Sequence, residues 1–290
     1  MDTDRWEWDD TLYAGSAAFY VRGRMPYPPD LRVALRDELH LDGSGRLLDV
    51  GCGPGSATLL LADLFSEVVG VDADAEMLVE AGREAERRGC ENATWVHRRA
   101  EELPAGLGAF RVVVFAQSFH WMDRPRVAET VRAMVEPGGS LVHVGATTHR
   151  GVPGGDPLPA PRPPHDQIAD LVRRYLGPVR RAGRGRLGSD TPSDEDEILA
   201  AAGFRGPRRV DVGGGRIVER SEDDIVASVH SLSSATPHLF GDRLEAFDAE
   251  LRQLLRRVAP AGRFCERTRE ITLAMWDPSS TSTSSQDSRR

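Results

Sequence analysis

The chain has 290 residues, 40% of them apolar and 28% charged, which is enough to bury a globular core without disulfide or metal staples. Its formal net charge of −8 argues against a protein whose main task is gripping nucleic acid. All 37 basic residues are Arg, the mark of a high-GC genome rather than of a function. Cys52, Cys90 and Cys265 are scattered without a metal spacing and imply a reducing compartment. The acidic, aromatic start (MDTDRWEWDD) is no secretory signal, and no apolar run approaches bilayer length, so a soluble cytoplasmic protein is expected.

In chain order, residues 12–43 read as a helical cap. Pro26, Pro28 and Pro29 interrupt it, and Leu31, Ala34, Leu35 and Leu39 then recur at helical spacing. From Arg46 strands and helices alternate. Strands are expected at Leu47–Val50, Glu67–Val71, Ala93–His97, Phe110–Phe115 and Ser140–Val144. Helices are expected at Ala57–Leu64, from the Asp74 cap to about Arg88, and from the Asp123 cap to Pro137-Gly138-Gly139. Such alternation predicts a parallel sheet covered by helices on both faces.

Beyond Thr148 the pattern loosens. Residues 151–164 are a Pro/Gly-rich loop, Asp166–Leu176 a helix and Arg180–Arg186 a flexible basic stretch. A helix at Glu195–Ala202 precedes a strand near Arg208–Val212. Helices at Ser221–Ser231 and Arg243–Val258 precede a last strand at Thr268–Trp276. The tail 278–290 is poor in apolar residues and is expected to be disordered.

Chemistry concentrates in Leu47-Leu48-Asp49-Val50-Gly51-Cys52-Gly53-Pro54-Gly55, an apolar strand running into a glycine turn. Asp72 follows Asp49 by 23 residues, close to the interval at which the next parallel strand brings a carboxylate to a ribose. An adenosine-containing cofactor is implied. A nicotinamide dinucleotide is disfavoured because Ser56 stands where the third glycine of G-x-G-x-x-G belongs and Pro54 lies inside the turn.

With these residues the chain resembles the class I S-adenosylmethionine-dependent methyltransferases. The likeness is most specific over LLDVGCGPG (47–55), VVGVDADAEML (68–78), AEELP (100–104), FAQSFHWMD (115–123) and EPGGSLVHV (136–144). The run from Phe19 to Pro28, which contains Arg24-Met25-Pro26-Tyr27-Pro28, resembles the segment before the core in small-molecule members. The resemblance implies one domain over 12–277: a cap (12–43), a donor-binding half (44–148) and a substrate-side half (149–277). Its fold would be a Rossmann-like, seven-stranded, mostly parallel sheet with a helical lid between the sixth and seventh strands.

The resemblance also implies roles. Asp49, Gly51, Cys52 and Gly53 would surround the methionine moiety of S-adenosylmethionine, and Asp72 would hold the ribose. Ala73 and Met77 would flank the adenine, Ala100 and Glu101 would reach its edge, and Ala116 would close over the sulfonium. Arg99 stands where many relatives carry an acid, which moves the adenine-edge contact to Ala100 and Glu101. His120 is the candidate general base, with Tyr20 as a second catalytic candidate and Arg24 and Trp121 as substrate contacts. His143, His230, His238 and Phe240 read as strand or lid structure. The expected reaction is methyl transfer to a small organic acceptor in secondary metabolism, at oxygen, nitrogen or an indole-type carbon, leaving S-adenosylhomocysteine. An RNA methyltransferase and a catalytically silent donor-binding protein are the alternatives; neither a basic face nor an appended RNA-binding domain is visible.

Overall fold

The computed structural model describes residues 11–155, 157–178, 180–182, 185–187 and 194–279. The cap contributes α1 (Ala17–Gly23) and α2 (Pro29–Leu39). The alternating half gives β1 (Arg46–Val50), α3 (Ser56–Leu61), β2 (Glu67–Asp72), α4 (Ala75–Arg88), β3 (Ala93–His97), β4 (Phe110–Ala116), α5 (Arg124–Met134) and β5 (Val135–Gly145). Then follow α6 (His165–Leu176), a hairpin of β6 (Arg180–Ala182) and β7 (Gly185–Leu187), α7 (Glu195–Ala201) and β8 (Phe204–Gly213). The chain continues through β9 (Ile217–Ser221), α8 (Glu222–His230), α9 (Leu244–Val258), β10 (Arg263–Arg267) and β11 (Glu270–Pro278).

Seven strands form one sheet in the order β3-β2-β1-β4-β5-β11-β8. β1 to β5 pair in parallel, and β11 runs antiparallel between β5 and β8. The period of two along each strand separates two cores. Leu48, Val50, Val69, Val113 and Phe115 pack under α5 and α7, while Leu47, Val68, Val112 and Val114 pack under α2 and α3. The expected fold class is the observed one.

Three details differ from the expected elements. β5 starts at Val135 and carries Pro137-Gly138-Gly139 within it, where the expected strand began at Ser140. β8 likewise starts four residues earlier than expected, at Phe204. Between β8 and β11, β9 and β10 pair antiparallel from Arg263↔Ser221 to Arg267↔Ile217, a sheet not expected from sequence. Their charged side chains (Glu219, Arg220, Arg263, Glu266 and Arg267) hide the alternation on which strand recognition depends. Of the tail 278–290 expected to be disordered, Pro278 instead ends β11, and residues 280–290 lie outside the described residues.

The insertion between β8 and β11 is a helical layer with its own core, Ile225, Val229, Phe240, Phe247, Leu251 and Phe264 among them. It docks on the cap where α1 crosses α8. A Cβ on Gly23 would lie 2.4 Å from the Ala227 carbonyl, so only glycine permits this approach. Arg22 clamps the crossing by donating to Asp224 at 2.8 Å and Asp223 at 3.3 Å. Cap and insertion together roof the carboxyl ends of β1, β2 and β4, the edge at which ligands of open α/β sheets bind.

Candidate functional site

Under this roof lies a cavity of about 530 Å³. Its floor is the β1–α3 turn. Gly51 and Cys52 donate their N–H groups to Val71 O at 2.8 and 3.1 Å, which fixes the turn to the end of β2. Gly51 has φ +70°, and a Cβ there would sit 2.6 Å from Ser118 Cβ. Gly53 has φ +55°, and a Cβ on it would meet no atom within 4 Å. The second glycine thus leaves a bare stretch of backbone open to a ligand.

Asp72 closes the floor. Its Oδ2 accepts the Gly53 N–H at 2.7 Å and its Oδ1 accepts the Asp74 N–H at 2.9 Å. Burial pushes its carboxyl up to about 6, against the opposing effect of those two N–H donors. Ala73, Met77, Ala100, Glu101 and Ala116 complete this end. The Glu101 carboxylate accepts the Asp123 N–H at 2.7 Å and joins the β3–β4 connection to the start of α5, while its burial raises its pKa.

The roof supplies Tyr13, Tyr20, Arg24 and Tyr27 from the cap, with Trp121 at the side and Arg220 from β9. Tyr13 packs edge-on against Tyr20 and Trp121, at centroid distances of 6.3 and 5.7 Å. Gln117 adopts φ +59° directly after β4, and its Nε2 donates to the Tyr27 hydroxyl at 2.7 Å. Arg220 is buried and ion-paired with buried Glu266 at 3.0 Å, and it donates to Gly23 O at 2.6 Å, binding the lid to the cap. Glu266 also meets His165 Nε2 at 2.7 Å.

Of the residues singled out from sequence, Tyr20, Arg24, Gly51, Cys52, Gly53, Asp72, Ala73, Met77, Ala100, Glu101, Ala116 and Trp121 line one cavity. Two do not. Asp49 is fully buried behind the glycine turn; its Oδ2 accepts from Thr58 Oγ1 at 2.6 Å and its Oδ1 has no partner among the described residues. Desolvation pushes its carboxyl up to about 7. His120 is the second residue outside the lining. It sits in a 3-10 turn after β4 with its ring against Trp121, 4.7 Å between centroids, and it is not part of the cavity lining. Burial, assisted by His143 and Arg124, holds its pKa down near 4, which leaves a weakly basic imidazole.

His230 is lid core, bonded to Asp248 at 2.7 Å, and His238 Nδ1 lies 3.1 Å from Ala14 O. The side chains of the Arg180–Arg186 stretch lie outside the described residues. Tyr13, Tyr27, Gln117 and Arg220 are cavity residues that sequence reasoning missed. Tyr27 and Gln117 carried a signal, since they lie within the cap run and within FAQSFHWMD, whereas Arg220 is brought in by backbone geometry alone.

A glycine-turn floor, an acid at the next strand end and a capped sheet edge define the architecture of a class I methyltransferase. Residues 47–139 match the family described as a methyltransferase domain. An uncharacterized methyltransferase of Mycobacterium tuberculosis is 34% identical over 134 residues, 46% of this chain and 51% of that protein. The trans-aconitate 2-methyltransferase of Pseudomonas paraeruginosa is 37% identical over 136 residues, 46% of this chain and 45% of that protein. The chain thus spans about half the length of the curated relatives it matches. A structure solved in work on conversion of a disulfide bond into a thioacetal group during echinomycin biosynthesis shares the fold. Its TM-score is 0.51 at 17% identity, over 95% of this chain and 93% of that one. Residues 47–139 thus match a methyltransferase domain, on a sheet with the class I methyltransferase strand order.

Proposed function

We propose that the protein transfers a methyl group from S-adenosylmethionine to a small organic acceptor held beneath the cap. The single observation that carries this reading is the union of the bare Gly51–Gly53 turn and the Asp72 carboxylate on one cavity floor. The residues present fit the donor. Asp72 retains acceptor capacity for ribose hydroxyls beside its two N–H bonds, and Ala73 with Met77 offers an apolar slot for adenine. Ala100 and Glu101 border that slot, and Ala116 borders the reacting end. Gly51, Cys52 and Gly53 present backbone to the methionine moiety, with Asp49 buried behind the turn.

When bound, the donor supplies an electrophilic methyl on a sulfonium. This chain's part is to orient and to exclude water, and orientation alone is worth about 7–11 kcal/mol in favourable cases. Trp121, Tyr13 and Tyr20 wall the acceptor side with aromatic surface, and the cap covers it. His120 takes no part in this reading. A small acceptor suits an enclosed volume of about 530 Å³, within the range of small-molecule sites. Secondary metabolism remains our setting for the reaction, on the composition and the inserted lid. Calorimetry with S-adenosylmethionine, S-adenosylhomocysteine and NADH tests the reading. We expect micromolar binding of both adenosyl ligands; binding of NADH alone overturns it.

A further inference from the structure

The roof carries a cation that no carboxylate among the described residues neutralises. Arg22 faces Asp223 and Asp224, and Arg220 faces Glu266. Arg24 lies between them in sequence and space and makes no ion pair among the described residues. Its Nε donates to Ser231 Oγ at 2.8 Å and its Nη2 to Ser231 O at 2.9 Å, both neutral partners. Those bonds, with the Tyr20 ring 4.6 Å beneath its Cζ, hold the guanidinium at the cavity wall and leave Nη1 to donate elsewhere. A half-buried guanidinium fixed in this way favours a carboxylate partner.

Hydroxyl donors surround it. Because Gln117 Nε2 donates to the Tyr27 oxygen, the Tyr27 hydrogen is left to donate. The Tyr20 hydroxyl makes no hydrogen bond among the described residues. Burial raises the pKa of both Tyr13 and Tyr27, so they remain donors.

The cavity also offers no base on this side. No histidine lines it among the described residues. Asp72 and Glu101 accept backbone N–H groups at the donor end, Asp224 is held by Arg22, and Glu219 pairs with Arg263 at 3.4 Å. Among the described residues, each carboxylate of the lining is thus engaged with a donor or a cation, and none stands free as a dedicated base.

We propose that the acceptor is a small carboxylic acid, held as its carboxylate by Arg24 with the Tyr20 and Tyr27 hydroxyls and methylated on a carboxylate oxygen. This rests on the methyl-transfer reading above. A lone pair of the unclamped oxygen forms the new C–O bond as the methyl–sulfur bond breaks. The electron pair of that bond returns to sulfur, the sulfonium becomes a neutral thioether, and no proton moves. The product is a methyl ester.

The same guanidinium chemistry would suit the donor's own carboxylate, and the test separates the two sources. Wild type and Arg24→Gln are first titrated with S-adenosylhomocysteine by calorimetry. Both are then incubated with methyl-labelled S-adenosylmethionine and a mixture of aliphatic and aromatic mono-, di- and tricarboxylic acids, with the matching primary amides as controls. Ester label is released as volatile methanol by alkali, whereas ether, amine and carbon methyl groups stay. We expect alkali-volatile label from acids only. For Arg24→Gln we expect S-adenosylhomocysteine affinity within about threefold of wild type and an acceptor KM raised at least about tenfold, the loss of one charge-assisted contact. Alkali-stable label, no transfer to any acid, or an equal loss of S-adenosylhomocysteine affinity in the variant overturns the proposal. Failure of the wild type to bind S-adenosylhomocysteine overturns the methyl-transfer reading itself.

Discussion

The Gly53 N–H points at Asp72 Oδ2 across 2.7 Å, so the glycine turn after β1 and the acid at the end of β2 are one preorganised unit. Backbone and carboxylate are held to each other before any ligand arrives, and ligand binding need not order them.

Removing that acid tests the floor. Asp72→Ala deletes the proposed ribose acceptor and the brace on Gly53 together. We expect S-adenosylhomocysteine affinity to fall by roughly 10- to 150-fold, the span of a charge-assisted hydrogen-bond loss of about 1.5–3 kcal/mol. Calorimetry reads it directly, and unchanged affinity refutes the ribose contact.

The pH dependence of stability follows from burial of the floor acids. Asp49 is pushed up to about 7 and Asp72 to about 6, both from near 4. Between about pH 4 and 7 the folded chain therefore binds more protons at these sites than the unfolded chain does, and their contribution to stability declines as pH rises. Glu266 acts in the opposite sense: held down to about 2, it contributes stability above its unfolded value that is lost as pH falls toward 2. Asp49→Asn should flatten the decline between pH 4 and 7, with a change on the order of a few kcal/mol across that window. Urea midpoints over the pH series check this, and parallel profiles for variant and wild type count against it.

Cap docking depends on Gly23. In Gly23→Ala the new methyl would meet the Ala227 carbonyl at 2.4 Å, so α1 must lift from α8. We expect a cost of about 1–3 kcal/mol, typical of overpacking. Proteolysis within residues 11–28 should accelerate as the cap detaches, and protection equal to wild type would show that the crossing tolerates a side chain.

The buried Arg220–Glu266 pair holds the lid to the cap. Arg220→Met strands a carboxylate that is 3% exposed, a loss of about 3–5 kcal/mol for a broken buried pair. His165 at 2.7 Å from Glu266 offers partial compensation. Chemical denaturation of Arg220→Met and of the Arg220→Met/Glu266→Leu double variant distinguishes the cases. The double variant should recover part of the loss; if it is no better than the single, the stranded charge is not the cause.

For His120→Ala we expect turnover close to wild type and a modest stability loss from its packing on Trp121. A large drop in kcat with donor affinity intact would return the imidazole to the reaction.

Much of this molecule was legible in its sequence because the signals are local. Apolar runs such as Val112–Phe115 announce strands buried on both faces, glycines at 51 and 53 announce a turn without side chains, and the 23-residue interval from Asp49 to Asp72 announces adjacent strand ends. Those features define the sheet and the donor end of the cavity. The acceptor end is decided by tertiary structure. His120 follows β4 and reads as a base, yet in its 3-10 turn it stacks on Trp121 outside the cavity lining, and Gln117, in a left-handed conformation, meets Tyr27. Whether Arg24 is neutralised depends on partners some 200 residues away, where Asp223 and Asp224 take Arg22 and leave Arg24 to Ser231. Charge pairing between distant segments has no sequence period, so only the folded chain could assign the carboxylates and leave one guanidinium facing the cavity.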